Sequence, residues 1–313
     1  MMKHPLIGIE IGGTKLQLTL ADPSMALQQS VCLRVNKAEG AQGIRRQIET
    51  GLQQLTGGEA VTAAGIGFGG PVNHITGKIS VSHQINGWED FDLKQWLQEL
   101  IAAPVFIDND ANVAALGEAL HGAGKQYKLV FYMTLGSGIG GGIVQQGSIY
   151  HGAIPGEVEI GHVRLNREGQ TLESLCCGWA VDQKIRNLVQ QQPAGLLAQL
   201  VGNTVDGEAR FLKAALEQQD TAANAILQEV TDNIAFALSH VVHLFHPDVI
   251  IIGGGLSFLG EHLTGRIVAA LPRYLMTSFL PPPPVRISAL GEQAVPIGAL
   301  ELAKSVLRLN TNV

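Results

Sequence analysis

Two acidic and two amide side chains fall within five residues at Asp108-Asn109-Asp110-Ala111-Asn112, directly after the apolar run Val105-Phe106-Ile107. A helix-like pattern begins at Ala111, so the cluster sits where a strand opens onto a helix, a place from which a fold can hold carboxylates at the mouth of a cleft. Side chains of these types could orient a hydroxyl, remove its proton and bind a cation. They could equally do no more than cap the helix through Asn109 or Asp110. On this stretch alone capping has the better case; the rest of the chain reverses that.

The other chemistry-bearing segments are mostly glycine turns. Leu6 to Leu20 reads as strand, turn, strand, with Gly12-Gly13-Thr14-Lys15 as the turn. Glycines let a backbone turn sharply and bring free N–H groups to anionic oxygens, although Gly-Gly is also common in plain hairpins. The pattern returns at Leu129 to Gln145, around Gly136-Ser137-Gly138-Ile139-Gly140-Gly141-Gly142. Two such units suggest an internal duplication whose turns could hold a polyphosphate from both sides. A third loop, Gly253-Gly254-Gly255, follows the buried run Val249-Ile250-Ile251-Ile252 and suits a nucleotide base or ribose, or else close strand–helix packing.

Three further segments are polar and loop-like. Gly69-Gly70-Pro71-Val72-Asn73 is a tight turn that could approach a substrate or simply be a turn. Ser82-His83-Gln84-Ile85-Asn86-Gly87-Trp88 could bind a polyol, or be a surface loop pinned by Trp88. Glu159 and His162, three residues apart, could share a polar ligand or a metal; a hydrogen-bonded structural histidine is the default.

Helical spacing positions these loops: Ile44, Ile48, Leu52 and Leu55 share one face, Phe91 to Leu100 forms a short amphipathic helix, and Ala223 to Phe245 reads as a buried central helix. A strand over Val285 to Ala289 and an amphipathic helix over Ile297 to Leu309 follow. The 313 residues suggest about two domains. A net charge of -6 without a basic run argues against nucleic acid or an anionic membrane as partner. The first residues lack an apolar stretch for a signal peptide or a membrane span, which points to a cytoplasmic protein. Cys32, Cys176 and Cys177 are too few for a disulfide framework, and the adjacent pair reads as buried thiols rather than a zinc site.

Taken in order, Gly8-Ile9-Glu10-Ile11-Gly12-Gly13-Thr14-Lys15, Asn109-Asp110-Ala111-Asn112, Gly136 to Gly142, Glu159-Ile160-Gly161-His162 and Gly253-Gly254-Gly255 resemble the ROK family of bacterial sugar kinases and repressors. The resemblance spans nearly the whole chain. It implies an α/β actin-like ATPase (ribonuclease H-like) fold, with two domains around a cleft: a smaller one over 1–118 plus 298–313, onto which the terminal helix packs back, and a larger one over 119–297. It further implies Asp110 as catalytic base, and Gly70, Gln84, Asn109, Asp110, Glu159 and His162 as sugar-binding residues. Gly12, Gly13, Thr14, Lys15, Gly136, Ser137 and Gly138 would flank the phosphates of ATP, with Gly253, Gly254 and Gly255 at its adenosine. Mg²⁺ would come with ATP, and a homodimer is the family expectation. Residues before the first glycine turn are too few for a helix-turn-helix, which favours kinase over repressor.

Three departures stand out against the family pattern. Glu10 replaces the usual Asp, Gln84 the usual sugar-binding Asn, and the zinc motif Cys-x-Cys-Gly-x-x-Gly-Cys retains only Cys177-Gly178. No structural zinc is therefore expected, and Asp182 or Glu173 is the candidate for the sugar-binding Glu that normally follows. The resulting expectation is an ATP-dependent hexose kinase, a glucokinase first. Fructose, mannose or an N-acetylated amino sugar is the alternative substrate, and a sugar-sensing regulator the alternative class.

Overall fold

The computed structural model describes residues 4–80, 85–154 and 158–309 of the protein. The chain divides into two compact units. Unit 1 comprises Met1–Gln126, Gly142–Glu157 and Glu292–Val313; unit 2 comprises Tyr127–Gly141 and Val158–Gly291.

Unit 1 begins with β1 (Leu6–Ile11), β2 (Lys15–Ala21) and β3 (Leu27–Arg34), then α1 (Gly40–Thr56), β4 (Ala63–Phe68), α2 (Leu93–Ile101), β5 (Val105–Asn109) and α3 (Asp110–His121). The five strands form one sheet in the order β3-β2-β1-β4-β5. β1 is antiparallel to β2 and parallel to β4, and β4 is parallel to β5. Strands flanked on both sides are buried almost throughout, which is why β1 and β4 read as near-continuous apolar runs. α1 buries Ile44, Ile48, Leu52 and Leu55 and stops at Gly57, whose φ of 60° suits a left-handed cap. Trp88 is 1% exposed and edge-on to Phe68, so it is anchored in the core.

Unit 2 contains β6 (Leu129–Leu135) and β7 (Ile139–Gln145), which is followed by β8 (Ser148–Ile149); the chain passes into unit 1 at Gly142, within β7. It continues with α4 (Leu172–Cys176), α5 (Gly178–Gln191), α6 (Leu196–Val201), α7 (Leu212–Glu217), α8 (Thr221–Phe245), β9 (Val249–Gly253), α9 (Glu261–Ala270) and β10 (Val285–Ile287). The second sheet has the order β10-β9-β6-β7-β8, with β6, β9 and β10 parallel. Read from its other edge this is the strand order of the first sheet. The duplication suggested by two glycine turns thus extends to all five strands.

The last helix, α10 (Ala294–Leu309), belongs to unit 1 and packs on β1, β4 and α3. Glycines make that approach possible: a Cβ at Gly65 would collide with the Ala299 carbonyl, and one at Gly298 with the Val113 carbonyl. α10 starts three residues before the expected Ile297, with Pro296 tolerated because it falls in the first turn. No helix among the described residues is long and apolar enough to cross a membrane.

Candidate active site

In unit 1 the parallel register carries β5 through Asp108 and Asn109 before the chain turns into α3. Asn109 is the N-cap: its Oδ1 accepts from the Ala111 and Asn112 amides at 2.9 and 3.4 Å. Its Nδ2 donates to the Gly70 carbonyl at 3.3 Å. Capping therefore occurs, and it falls to Asn109, leaving Asp110 as the first residue of the helix. Asp110 Oδ1 accepts from the Ala111 amide at 2.8 Å, while a Cβ built on Gly69 would stand 3.3 Å from Asp110 Oδ2. That same Cβ would lie 3.5 Å from Gly12 Cα, and the Gly69 amide donates to the Ile11 carbonyl. Gly12, Gly69, Gly70, Asn109 and Asp110 thus converge, and the bare glycine keeps space open beside the Asp110 carboxylate.

The first glycine turn closes on itself through Gly12 N–H to Lys15 O at 2.9 Å. Lys15 Nζ lies 2.8 Å from Glu10 Oε2 and 3.3 Å from Gln17 Oε1. Burial raises the Glu10 carboxyl above the ordinary range; its bond and charge attraction to Lys15 oppose this, and Glu292 adds to it.

Behind the turn, Asp108 is 3% exposed. Its Oδ1 accepts from the Asn109 amide at 2.8 Å and from Asn112 Nδ2 at 3.0 Å, and its Oδ2 lies 2.6 Å from His151 Nε2. The His151 ring stacks on His74, with centroids 3.7 Å apart and planes 10° from parallel. Sequence reasoning singled out neither histidine. His151 lies 43 residues from Asp108, so no local spacing signals the contact.

In unit 2 the second turn closes through Gly136 N–H to Gly138 O at 3.0 Å, and Gly136 O accepts from the Gly178 amide at 2.7 Å. Glu173 Oε2 accepts from the Ile139 amide at 2.7 Å, and a Cβ on Gly138 would come 2.6 Å from that oxygen. Glu173 is thus committed to the turn. Asp182 is buried and accepts from the Gly207 and Ala209 amides, so it holds a loop. Glu159 and His162 flank a short 3-10 turn, 3.9 Å apart, with side chains 50% and 69% exposed. Gly253 packs against the Tyr132 ring and Gly254, at φ 80°, against the Leu135 backbone; nothing stands within 4 Å of a Cβ on Gly255. Close packing explains the first two glycines, and openness the third. The helix that follows is a 3-10 helix over Gly255–Leu259.

Cys176 and Cys177 are buried thiols, and burial pushes Cys176 up to about 12. Among the described residues no three His, Cys, Asp or Glu side chains group to hold a metal. Gln84 lies outside the described residues.

The ROK family model matches residues 6–306. A glucokinase of Thermotoga maritima is 30% identical over 312 residues, covering 97% of this chain and 98% of that one. A ROK family glucokinase from Streptomyces griseus, solved in complex with glucose and AMPPNP, superposes with a TM-score of 0.84 at 28% identity, over 96% of this chain and 99% of that one. A ROK hexokinase from Thermus thermophilus gives 0.80 at 28% identity, over 97% and 99%. The fold is that of these kinases, the actin-like ATPase fold.

Proposed function

The chain belongs to the ROK family, and from that premise we propose that it is an ATP-dependent hexose kinase converting glucose to glucose 6-phosphate. One observation carries the reading: the Asp110 carboxylate, partly exposed, stands beside the bare Gly69 and the Gly12 turn within one unit. A base must reach the hydroxyl it deprotonates, and a glycine beside it leaves room for that hydroxyl.

Asp110 takes the proton of the sugar hydroxyl as that oxygen attacks the γ-phosphorus; the bond to the β–γ bridging oxygen breaks and ADP leaves. Little covalent help is needed, because phosphoryl transfer is limited by positioning and charge. Asn109, whose Oδ1 is taken by the helix cap and one of whose Nδ2 hydrogens goes to the Gly70 carbonyl, acts through the second Nδ2 hydrogen as a donor to a sugar oxygen. Gly70 lines the same turn, and Glu159, His162 and Gln84 are the further sugar contacts proposed. Gly12, Gly13, Thr14 and Lys15 in unit 1, with Gly136, Ser137 and Gly138 in unit 2, bind phosphate oxygens. Gly255, open to its surroundings, meets the nucleoside with Gly253 and Gly254 shaping its approach.

The donor set fits Mg²⁺ held mainly by phosphates and water: Lys15 already neutralises Glu10 Oε2, so Glu10 serves as an outer carboxylate. Bound there, Mg²⁺ would neutralise developing phosphate charge. The enzyme is proposed to act as a cytoplasmic homodimer, checked by light scattering and fractionation.

The test is coupled ADP release with ATP and Mg²⁺ against glucose, fructose, mannose, N-acetylglucosamine and N-acetylmannosamine. Turnover led by glucose is expected. Glucose binding without turnover of any sugar would replace the kinase with a sugar sensor.

A further inference from the structure

A buried carboxylate is costly unless its lone pairs are used, and a strand interior would ordinarily hold an apolar residue at the place of Asp108. Every oxygen of Asp108 is engaged. Oδ1 faces the Asn109 amide and Asn112 Nδ2, both within its own turn; Oδ2 faces His151 Nε2 from another segment. An ionised carboxylate only accepts, so His151 Nε2 carries the proton and donates. His151 is in turn stacked on His74, in the loop whose Gly70 carbonyl receives Asn109 Nδ2. The Asp108–Asn112 turn is therefore held from outside at two points, one on Asn109 and one on Asp108.

We propose that His151 is a positioning residue for phosphoryl transfer: through Asp108 it fixes the Asn109 peptide and with it the direction in which Asp110 presents its carboxylate. This rests on the reading of Asp110 as the base. His151 itself need not touch the sugar. Its part is to stop the strand-to-helix turn from rotating about the cap, a freedom that would spread the Asp110 carboxylate over several directions. Small misplacements of a reacting group are expensive, since an ångström can cost about 100-fold in rate. The Asn109 side chain keeps its own ties to the Gly70 carbonyl and the Ala111 amide, so the effect falls on the transfer step, with sugar affinity held within about twofold.

The test compares two substitutions in the full chain. His151→Phe keeps an aromatic ring against His74 but loses the donor. His151→Gln loses the ring but places an amide N–H near the position of Nε2. We expect His151→Phe to lower kcat by about 10- to 100-fold with the calorimetric glucose Kd within about twofold, and His151→Gln to recover most of that loss. Should the phenylalanine variant fail to fold, His151→Asn, smaller and too short to reach Asp108, takes its place with the same expectation. A wild-type kcat for the donor-less variant, or an equal loss for His151→Gln, would overturn the inference. Asp110→Asn is assayed in parallel. If it abolishes turnover while His151→Phe keeps the wild-type kcat, the kinase reading stands and the role of His151 falls. If Asp110→Asn turns over like the wild type, the base assignment falls first and takes this proposal with it.

Discussion

The two sheets share a strand order, yet the loops after their corresponding strands differ. Ile11 is paired with Phe68, and one step beyond the Thr134–Gly253 pair Leu135 meets Gly254. Equivalent positions are thus Phe68-Gly69 in unit 1 and Gly254-Gly255 in unit 2. In unit 1 the first is a buried aromatic set edge-on to Trp88, and the second leaves space beside Asp110. In unit 2 the first is a left-handed glycine pressed on β6, and the second faces open space. The strand after each loop differs too: β5 ends in Asp108-Asn109 and is followed at once by Asp110, whereas β10 ends at Ile287 and is followed by Ser288-Ala289. A repeated scaffold carries unrepeated chemistry, because the side chains at strand ends, and not the strand order, decide what each copy can do.

Asp110→Asn should separate the units most sharply. It should reduce kcat by about 10²- to 10⁴-fold while calorimetry still shows glucose binding, as removal of a general base implies. Next in size, Gly69→Ala should lower glucose turnover about tenfold by crowding Asp110 and the Ile11 carbonyl. Gly255→Ala, with an unobstructed Cβ, should leave the glucose Kd unchanged and act on the KM for ATP alone. Equal effects of these two alanines on sugar kinetics would erase the distinction between the loops. Gly254→Ala, forced to φ 80° against the Leu135 backbone, should instead cost roughly 1–3 kcal/mol of stability, read by thermal or denaturant melts.

Smaller effects sharpen the same contrast. Cys32 in unit 1 is exposed, whereas Cys176 and Cys177 in unit 2 are buried with raised thiol pKa values. A thiol reagent at pH 8 should therefore label Cys32 fast and the other two only after denaturation. His74 titrates below the ordinary histidine range, chiefly through burial and then through His151. On acidification the unfolded chain gains a proton that folded His74 resists, so stability falls as pH drops below about 6.5. His74→Gln should show a smaller loss of Tm between pH 7 and 5.5 than the wild type.

Much of this was legible from residue order. Buried strands announce themselves as apolar runs, and glycine turns mark both halves of the duplication. The cluster at Asp108 to Asn112 reads as a strand–helix junction and lies at one, and the capping reading falls to Asn109, with Asp110 as the first residue of the helix. β3 gave no signal: Leu27 to Ser30 are exposed on an edge, and Gln28, Gln29 and Ser30 need not alternate with apolar residues. The tie between Asp108 and His151 is long-range, and nothing local in either segment requires it. Glu173 and Asp182 looked available for a ligand because a carboxylate's hydrogen-bond partners cannot be read from spacing; backbone amides hold both.

The glycine-lined approach of α10 to β1, β4 and α3 also sets an order of assembly during synthesis. The residues that complete unit 1 are translated after the whole of unit 2, and until Ala294 to Ala303 clear the ribosome the nascent unit 1 bares a groove at Gly65 and Gly117. The part encoded first is therefore the part finished last, so a stalled or shortened message strands a proposed catalytic unit without its cover, a substrate for chaperones.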